Sequence, residues 1–181
     1  RVVAGGESSA AQRYRFLLEE LPCAVYHRPL GKAGSANYVA PQIEAMLGHP
    51  AEAFSGNPGF WHSLIHPDDV NRVHASWVRE HGLMPGEEEV VEYRLQHMAG
   101  HYLWVRDHRS VRPGENGTTW VLGLVFDISE VRRAEERREE LDALWNRTFD
   151  LVGLPMAIGA ERELYKVNHA FAAMLGYELS E

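Results

Sequence analysis

The chain has 181 residues, a hydrophobic share of 45% and a formal net charge of −8. That share is enough for one packed core, and the negative balance excludes the basic face a nucleic-acid binder presents to phosphates. A single cysteine, Cys23, excludes an intrachain disulfide, argues against a cysteine-based metal site and fits a reducing, cytoplasmic compartment.

No apolar run approaches the roughly 20 residues that span a bilayer, so no membrane segment is expected. The chain opens on Arg1 and is expected to be a piece of a longer protein. Residues 1–9 are small and polar and read as a flexible lead-in. From Ala10 a helix is expected, with Tyr14, Leu17, Leu18 and Leu21 at helical spacing and Pro22 as its stop. Ala24 to His27 and Asn37 to Ala40 read as two short strands joined by a small-residue loop. Ile43, Met46 and Leu47 mark a short helix that Gly48 ends. Short helical turns follow, broken by Pro50, Gly56, Pro58 and Gly59. In the next helix Pro67 suits the first position, and Asp68 and Asp69 place negative charge in the first turn. Val70, Val73, His74, Trp77 and His81 share one face of it, and Gly82 and Pro85 end it.

Three strands come next. Val91, Tyr93 and Leu95 alternate with Glu92 and Arg94, the pattern of a strand with one wet face. Tyr102 to Val111 is the second, after a turn at Ala99–Gly100, and Arg94 is expected to lay its guanidinium over Trp104 across the pair. Thr118 to Ile128 is the third. It is apolar from Trp120 to Phe126 except at Gly123, so it belongs in the middle of a sheet, covered on both faces. Its outer set Trp120, Leu122, Leu124 and Phe126 calls for a covering helix or a partner chain. From Ser129 to about Thr148 a charged helix carries a weak a/d-like stripe of Val131, Ala134, Arg138, Leu141, Trp145 and Thr148. Leu141 and Trp145 join the outer sheet residues as the expected homodimer face, against the alternative of a solvated single helix.

The chain also repeats itself. Phe16, Leu18, Leu21, Pro22, Ala24 and Val25 match Phe149, Leu151, Leu154, Pro155, Ala157 and Ile158 at one constant shift. Val39 and Ala45-Met46-Leu47-Gly48 match Val167 and Ala173-Met174-Leu175-Gly176 at a second, the change falling in the Gly-rich loop. Residues 10–128 are thus read as one domain, 129–148 as a linker helix, and 149–181 as the incomplete start of a second copy.

Four groups of residues carry a family resemblance. The stretch Trp61-His62-Ser63-Leu64-Ile65-His66-Pro67-Asp68-Asp69 resembles the W…I-H-P-D-D signature of a large subfamily of PAS domains. Tyr93-Arg94-Leu95, Gly100 and Trp104-Val105 resemble its strand–turn–strand core. Gly123 and Asp127-Ile128-Ser129 resemble its exit into a signalling helix, and Leu154-Pro155, Asn168 and Met174-Leu175-Gly176 resemble the opening of another PAS domain. The resemblance implies an α+β fold: a five-stranded antiparallel sheet in the order 2-1-5-4-3, helices on one face and flanking signalling helices. It also implies a sensory module, not an enzyme, relaying a signal through dimer-linked helices. The output domain would lie in cis outside this chain: a histidine kinase, a cyclic-dinucleotide enzyme or a phosphatase. Asp127, Ile128 and Ser129 would form the relay, Asp127 capping the helix start.

PAS domains often hold a flavin, a haem or a metabolite between sheet and long helix. The flavin photosensor pattern is missing. Ser55 to Trp61 contains no cysteine, and Val125 stands where that subclass has glutamine. A haem would need an axial histidine, and His74 and His81 are the candidates. For a small metabolite the expected lining is Val91, Tyr93, Leu95, Leu103, Val105, Val121 and Val125, with His74 and Trp77, and Tyr93 as the polar handle. A filled core is the favoured reading and no cofactor is expected; haem or a small metabolite is the alternative. No metal site is expected, since the start of the next helix accounts for His66 beside His62. No phosphate loop, zinc-protease pattern or nucleophile elbow is present, and His27, Asp107 and Ser110 make a triad only on paper.

Overall fold

The computed structural model describes residues 21–32, 36–57, 59–114, 117–160 and 163–177. The helix expected from Ala10 and the first members of the repeat, Phe16 and Leu18, lie outside the described residues. The chain divides into two compact units, Arg1–Glu130 and Val131–Glu181.

The first unit is built on a five-stranded antiparallel sheet of order β2-β1-β5-β4-β3. The strands are β1 Ala24–Pro29, β2 Tyr38–Val39, β3 Glu88–Gln96, β4 Tyr102–Pro113 and β5 Thr119–Asp127. β5 sits between β1 and β4, as its apolar run on both faces requires. Between β2 and β3 come the short helices α1 Gln42–Leu47, α2 Ala51–Gly56 and α3 Phe60–Ser63, a 3-10 turn at Pro67–Asp69, and α4 Val70–Glu80. Gly48 closes α1 at φ 74°, a left-handed conformation that costs glycine little.

These helices cover one face of the sheet. Ile43, Leu47, Phe54, Trp61, Leu64, Ile65 and Val73 pack against Ala24, Tyr26, Val91, Tyr93, Leu95, Val105 and Val125. The segment before the 3-10 turn also covers the edge strand. His66 N–H donates to Arg94 O at 2.9 Å, and Gln96 N–H donates to Leu64 O at 2.8 Å. The rim of β3 therefore offers less unpaired backbone to another chain.

α4 is rotated from its expected face. Val73, Ser76 and Glu80 are its buried residues, whereas His74 is exposed. A polar residue was free to take the inner face because the sheet opposite carries arginines. On the outer face of the sheet, Cys23, Val25 and Ala40 form a small cluster onto which Leu124 and Phe126 pack. Trp120 meets His27 edge-on at 5.3 Å, and Leu122 remains 37% exposed.

α5 runs Ser129–Leu151, past the expected end near Thr148. No proline or glycine interrupts it before Gly153, so nothing stops it earlier. In the second unit a two-stranded sheet, β6 Ala157–Ala160 with β7 Glu163–Val167, precedes α6 His169–Leu175. Every residue of β6 is exposed, as are Leu151 and Leu154. No described helix is long and apolar enough to cross a membrane.

Candidate functional site

Strand periodicity carries charge into the first unit. The alternation that turns Ala24 and Tyr26 inward on β1 also turns Arg28 inward, and on β4 Asp107 and Arg109 follow Val105. Arg109 is the largest fully buried side chain described, and Arg28 is 3% exposed.

Glu80 of α4 answers both arginines. Arg28 Nη2 donates to its two carboxylate oxygens, each at 2.6 Å, and Arg109 Nη1 donates to Oε2 at 3.0 Å. Arg109 Nη2 donates to Ser76 Oγ at 2.6 Å, and Ser76 Oγ donates in turn to Val73 O at 2.8 Å. Paired charges of this kind survive burial because each satisfies the other's lost hydration.

Asp107 is the second buried acid. Tyr26 Oη donates to its Oδ1 at 3.1 Å, Tyr93 Oη donates to Oδ2 at 3.2 Å, and Arg109 Nε lies 3.6 Å from Oδ2. Trp61 Nε1 in turn donates to Tyr93 Oη at 2.9 Å. Burial pushes the Asp107 carboxyl above its ordinary range, against the pull of Arg109, Tyr26, Tyr93 and Arg28. Burial likewise holds both phenols well above their usual value, with Asp107 adding to it.

A cavity opens beside this network, lined by Tyr26, Arg28, Ala36, Phe54, Trp61, Trp77 and Asp107. Its empty space is about 310 Å³ with the open mouth included, and the enclosed part is far smaller. The enclosed part therefore holds one or two waters, or the tip of a small ligand.

Of the nine residues expected to line a pocket, only Trp77 lines this one. Val91, Tyr93, Leu95, Val105, Val121 and Val125 are buried, and Leu103 packs half-buried against the core. Tyr93 reaches the cavity wall only through its hydrogen bonds to Trp61 and Asp107. His74 is exposed and stacks on His62 at 4.7 Å, while the His81 Nδ1 contacts Trp77 O at 2.8 Å. Neither histidine lines the cavity, and His74 lies on the exposed side of α4 instead of the inner face expected of it. Beside the expected apolar residues, the inner face also holds Arg28, Asp107 and Arg109, which the expected lining left out. The signal was readable: Asp107 and Arg109 follow Val105 at the strand period, and Arg28 follows Tyr26. The paper triad fails on the same count, because Asp107 faces inward while His27 packs with Tyr38 and Trp120 on the other face. Among the described residues no group of three or more His, Cys, Asp or Glu could hold a metal.

The exit from the sheet is hydrogen-bonded at every step. Ile128 N–H donates to Trp104 O at 2.8 Å, Trp104 N–H donates to Ser129 Oγ at 2.9 Å, and Ser129 N–H donates to Asp127 Oδ1 at 2.8 Å. The start of α5 is thereby tied to both β4 and β5. Leu141 and Trp145 further along α5 are 65% and 49% exposed.

Comparison with known proteins agrees with this architecture. Residues 36–125 match the family model described as PAS fold. The Sinorhizobium fredii protein y4lL is 31% identical over 120 residues, which cover 65% of this chain and 14% of that protein. The chain thus spans a small part of that relative's length. The N-terminal domain of a diguanylate cyclase with PAS/PAC sensor from Marinobacter aquaeolei is 29% identical with a TM-score of 0.52, over 61% of this chain and 98% of that one. A sensory box histidine kinase/response regulator from Burkholderia thailandensis shares the fold at 21% identity and a TM-score of 0.54, over 75% and 98% of the two chains.

Proposed function

Residues 36–125 belong to the PAS fold family, and on that premise we propose that the chain is a sensory and regulatory module without catalysis of its own. It passes a signal from the sheet through α5 to an output domain in cis. The chain works in the cytoplasm as a homodimer, and residues 149–181 are the opening of a second PAS domain. The output is a cyclic-dinucleotide enzyme, a histidine kinase or a phosphatase; the similar Marinobacter and Burkholderia proteins supply the first two classes.

The observation that carries this reading is the hydrogen-bonded exit. A helix whose first turn is held by Asp127, Ser129 and the backbone of Trp104 cannot keep its pose when β4 and β5 shift. A small change at the sheet becomes a change in helix packing, which is how a two-state element is biased. The residues the dimer would cover are Leu141 and Trp145 on α5 and, in the first unit, Trp120, Leu122, Leu124 and Phe126 on the sheet.

Sedimentation velocity across a concentration series tests it. A dimer weakened by Leu141→Asp and by Trp145→Asp is expected, and a wild-type chain monomeric at the highest concentration overturns the dimer relay. Asp127→Ala should speed amide exchange in the first turns of α5 and leave β5 protected. Unchanged exchange there removes Asp127 from the relay.

A further inference from the structure

Glu80 and Asp107, the two acids of the buried network, are held differently. Glu80 accepts from both arginines at 2.6–3.0 Å. Asp107 is 1% exposed, and among the described residues its side-chain hydrogen bonds come only from phenols. Tyr26 Oη spans its two oxygens at 3.1 and 3.2 Å, and Tyr93 Oη reaches Oδ2 at 3.2 Å. All three are longer than the roughly 2.7–2.8 Å of a well-made O–H···O bond. Arg109 Nε stands 3.6 Å away with no hydrogen-bond partner of its own. A carboxylate buried in this way is poorly compensated. Burial outweighs the pull of Arg109, Tyr26, Tyr93 and Arg28 and raises the affinity of Asp107 for a proton.

The neutral acid fits the same neighbours. A protonated Asp107 donates to Tyr26 Oη, and the Tyr26 hydroxyl turns its own proton into the cavity, where water accepts it. Both residues line that cavity, so a proton has a way in from solvent.

Position makes the group consequential. Ionised, Asp107 and Glu80 balance Arg28 and Arg109, all four buried. Glu89 lies 3.7 Å from Arg109 but is held by Arg79 at 2.7 Å. With Asp107 neutral, Arg28 and Arg109 share Glu80 alone, and the cluster carries a net positive charge. Arg109, Gly123 and Tyr26 stand directly opposite one another across β4, β5 and β1. Nearer the exit Asp107 faces Val125, and beyond it Val105 faces Asp127, which holds Ser129 at the start of α5.

We propose that Asp107 is a proton switch: on taking up a proton it releases Arg109 and turns Tyr26, and β4 and β5 carry the change to the start of α5. The step moves one proton from bulk water to a carboxylate oxygen and breaks no covalent bond. The effect on α5 rests on the sensory reading above and names acidification as a signal; the proton uptake does not depend on it.

The test follows the full 181-residue chain by NMR from neutral to acid pH, reading side-chain carboxyl carbons and backbone amides. Asp107→Asn identifies the Asp107 signal. Its midpoint should lie above the roughly 3.9 of a free aspartate, and the amides of Trp104 and Ile128 should shift with the same midpoint. Ser129 also senses Asp127 directly, so there only the component lost in Asp107→Asn counts. Tyr26→Phe removes a donor to the anion and should move the midpoint further up; circular dichroism checks the fold of both variants. A midpoint at or below that of a free aspartate, or one unmoved in folded Tyr26→Phe, overturns the proton switch. A raised midpoint that the Trp104 and Ile128 amides do not follow overturns its coupling to α5. The exchange response to Asp127→Ala reports the relay separately.

Discussion

Arg94 holds Asp69 with both its backbone and its side chain: the amide N–H donates to Oδ2 at 3.0 Å and Nε donates to the same oxygen at 2.8 Å. Arg72 Nη2 adds a bond to Oδ1 at 2.8 Å. The second aspartate of the His-Pro-Asp-Asp stretch is therefore a buried counter-ion that fastens the start of α4 to β3. The first, Asp68, is 74% exposed and contributes little. Arg94 still lies over Trp104, 5.3 Å from the ring centre, so one side chain serves both faces of that corner.

The two aspartates should accordingly differ. Asp69→Asn should destabilise the first unit by about 1–3 kcal/mol, because it weakens charged bonds to two arginines and a backbone amide. Asp68→Asn should stay within about 0.5 kcal/mol of wild type. Burial would raise the Asp69 carboxyl, but the bonds from Arg94 and Arg72 outweigh it and bring it from 3.8 down to about 2. A depressed folded pKa means its stabilisation is full above about pH 4 and fades as pH falls through about 2. Urea denaturation at stepped acid pH reads this directly. The slope between those values should be shallower in Asp69→Asn.

Glu80→Ala strands Arg28 and Arg109 in the interior. A loss of about 3–5 kcal/mol is expected, since breaking a buried pair leaves an uncompensated charge. Glu88→Ala, which removes a half-exposed partner of His108, should cost no more than about 1 kcal/mol. Equal midpoints for the two variants in guanidinium would contradict the buried network.

Gly123 is paired directly with Tyr26 across β1 and β5. A Cβ there would lie 2.1 Å from two ring atoms of Tyr26, whose hydroxyl is fixed on Asp107. Gly123→Ala should therefore cost about 1–3 kcal/mol by overpacking, in spite of its better strand propensity. Thermal unfolding checks this; a neutral outcome would mean that the Tyr26 ring is free to move.

Asn168 organises the second unit. It is fully buried, its Nδ2 donates to the carbonyls of Phe149, Val152 and Leu154, and its Oδ1 accepts from the amides of Met156 and Phe171. Asn168→Ala should release the amides of β6 and β7 to rapid hydrogen exchange and leave β5 protected. In wild type too, β6 and β7 should exchange faster than β5, since a lone two-stranded sheet is marginally stable. Equal protection of the two sheets would show that the second unit folds on its own.

The sequence by itself determined whatever depends on local chemistry. The run from Trp120 to Phe126 placed β5 mid-sheet, the alternation of Val91, Tyr93 and Leu95 set the wet and dry faces of β3, and Asp127 before Ser129 announced the start of α5. The tertiary structure decided which polar residues those rules carried indoors. Period-two alternation already turned Arg28, Asp107 and Arg109 to one side, yet composition treats such residues as solvent-facing until a partner is known. That partner, Glu80, comes from a helix whose apolar stripe alone pointed to His74. Only when the helix packs on the sheet does pairing Glu80 with two arginines outweigh the stripe, because an unpaired charge inside costs more than a misplaced methyl group. Asp69 follows the same logic. Read locally it complements a helix dipole, and its buried grip on Arg94 exists because the chain returns 25 residues later as β3.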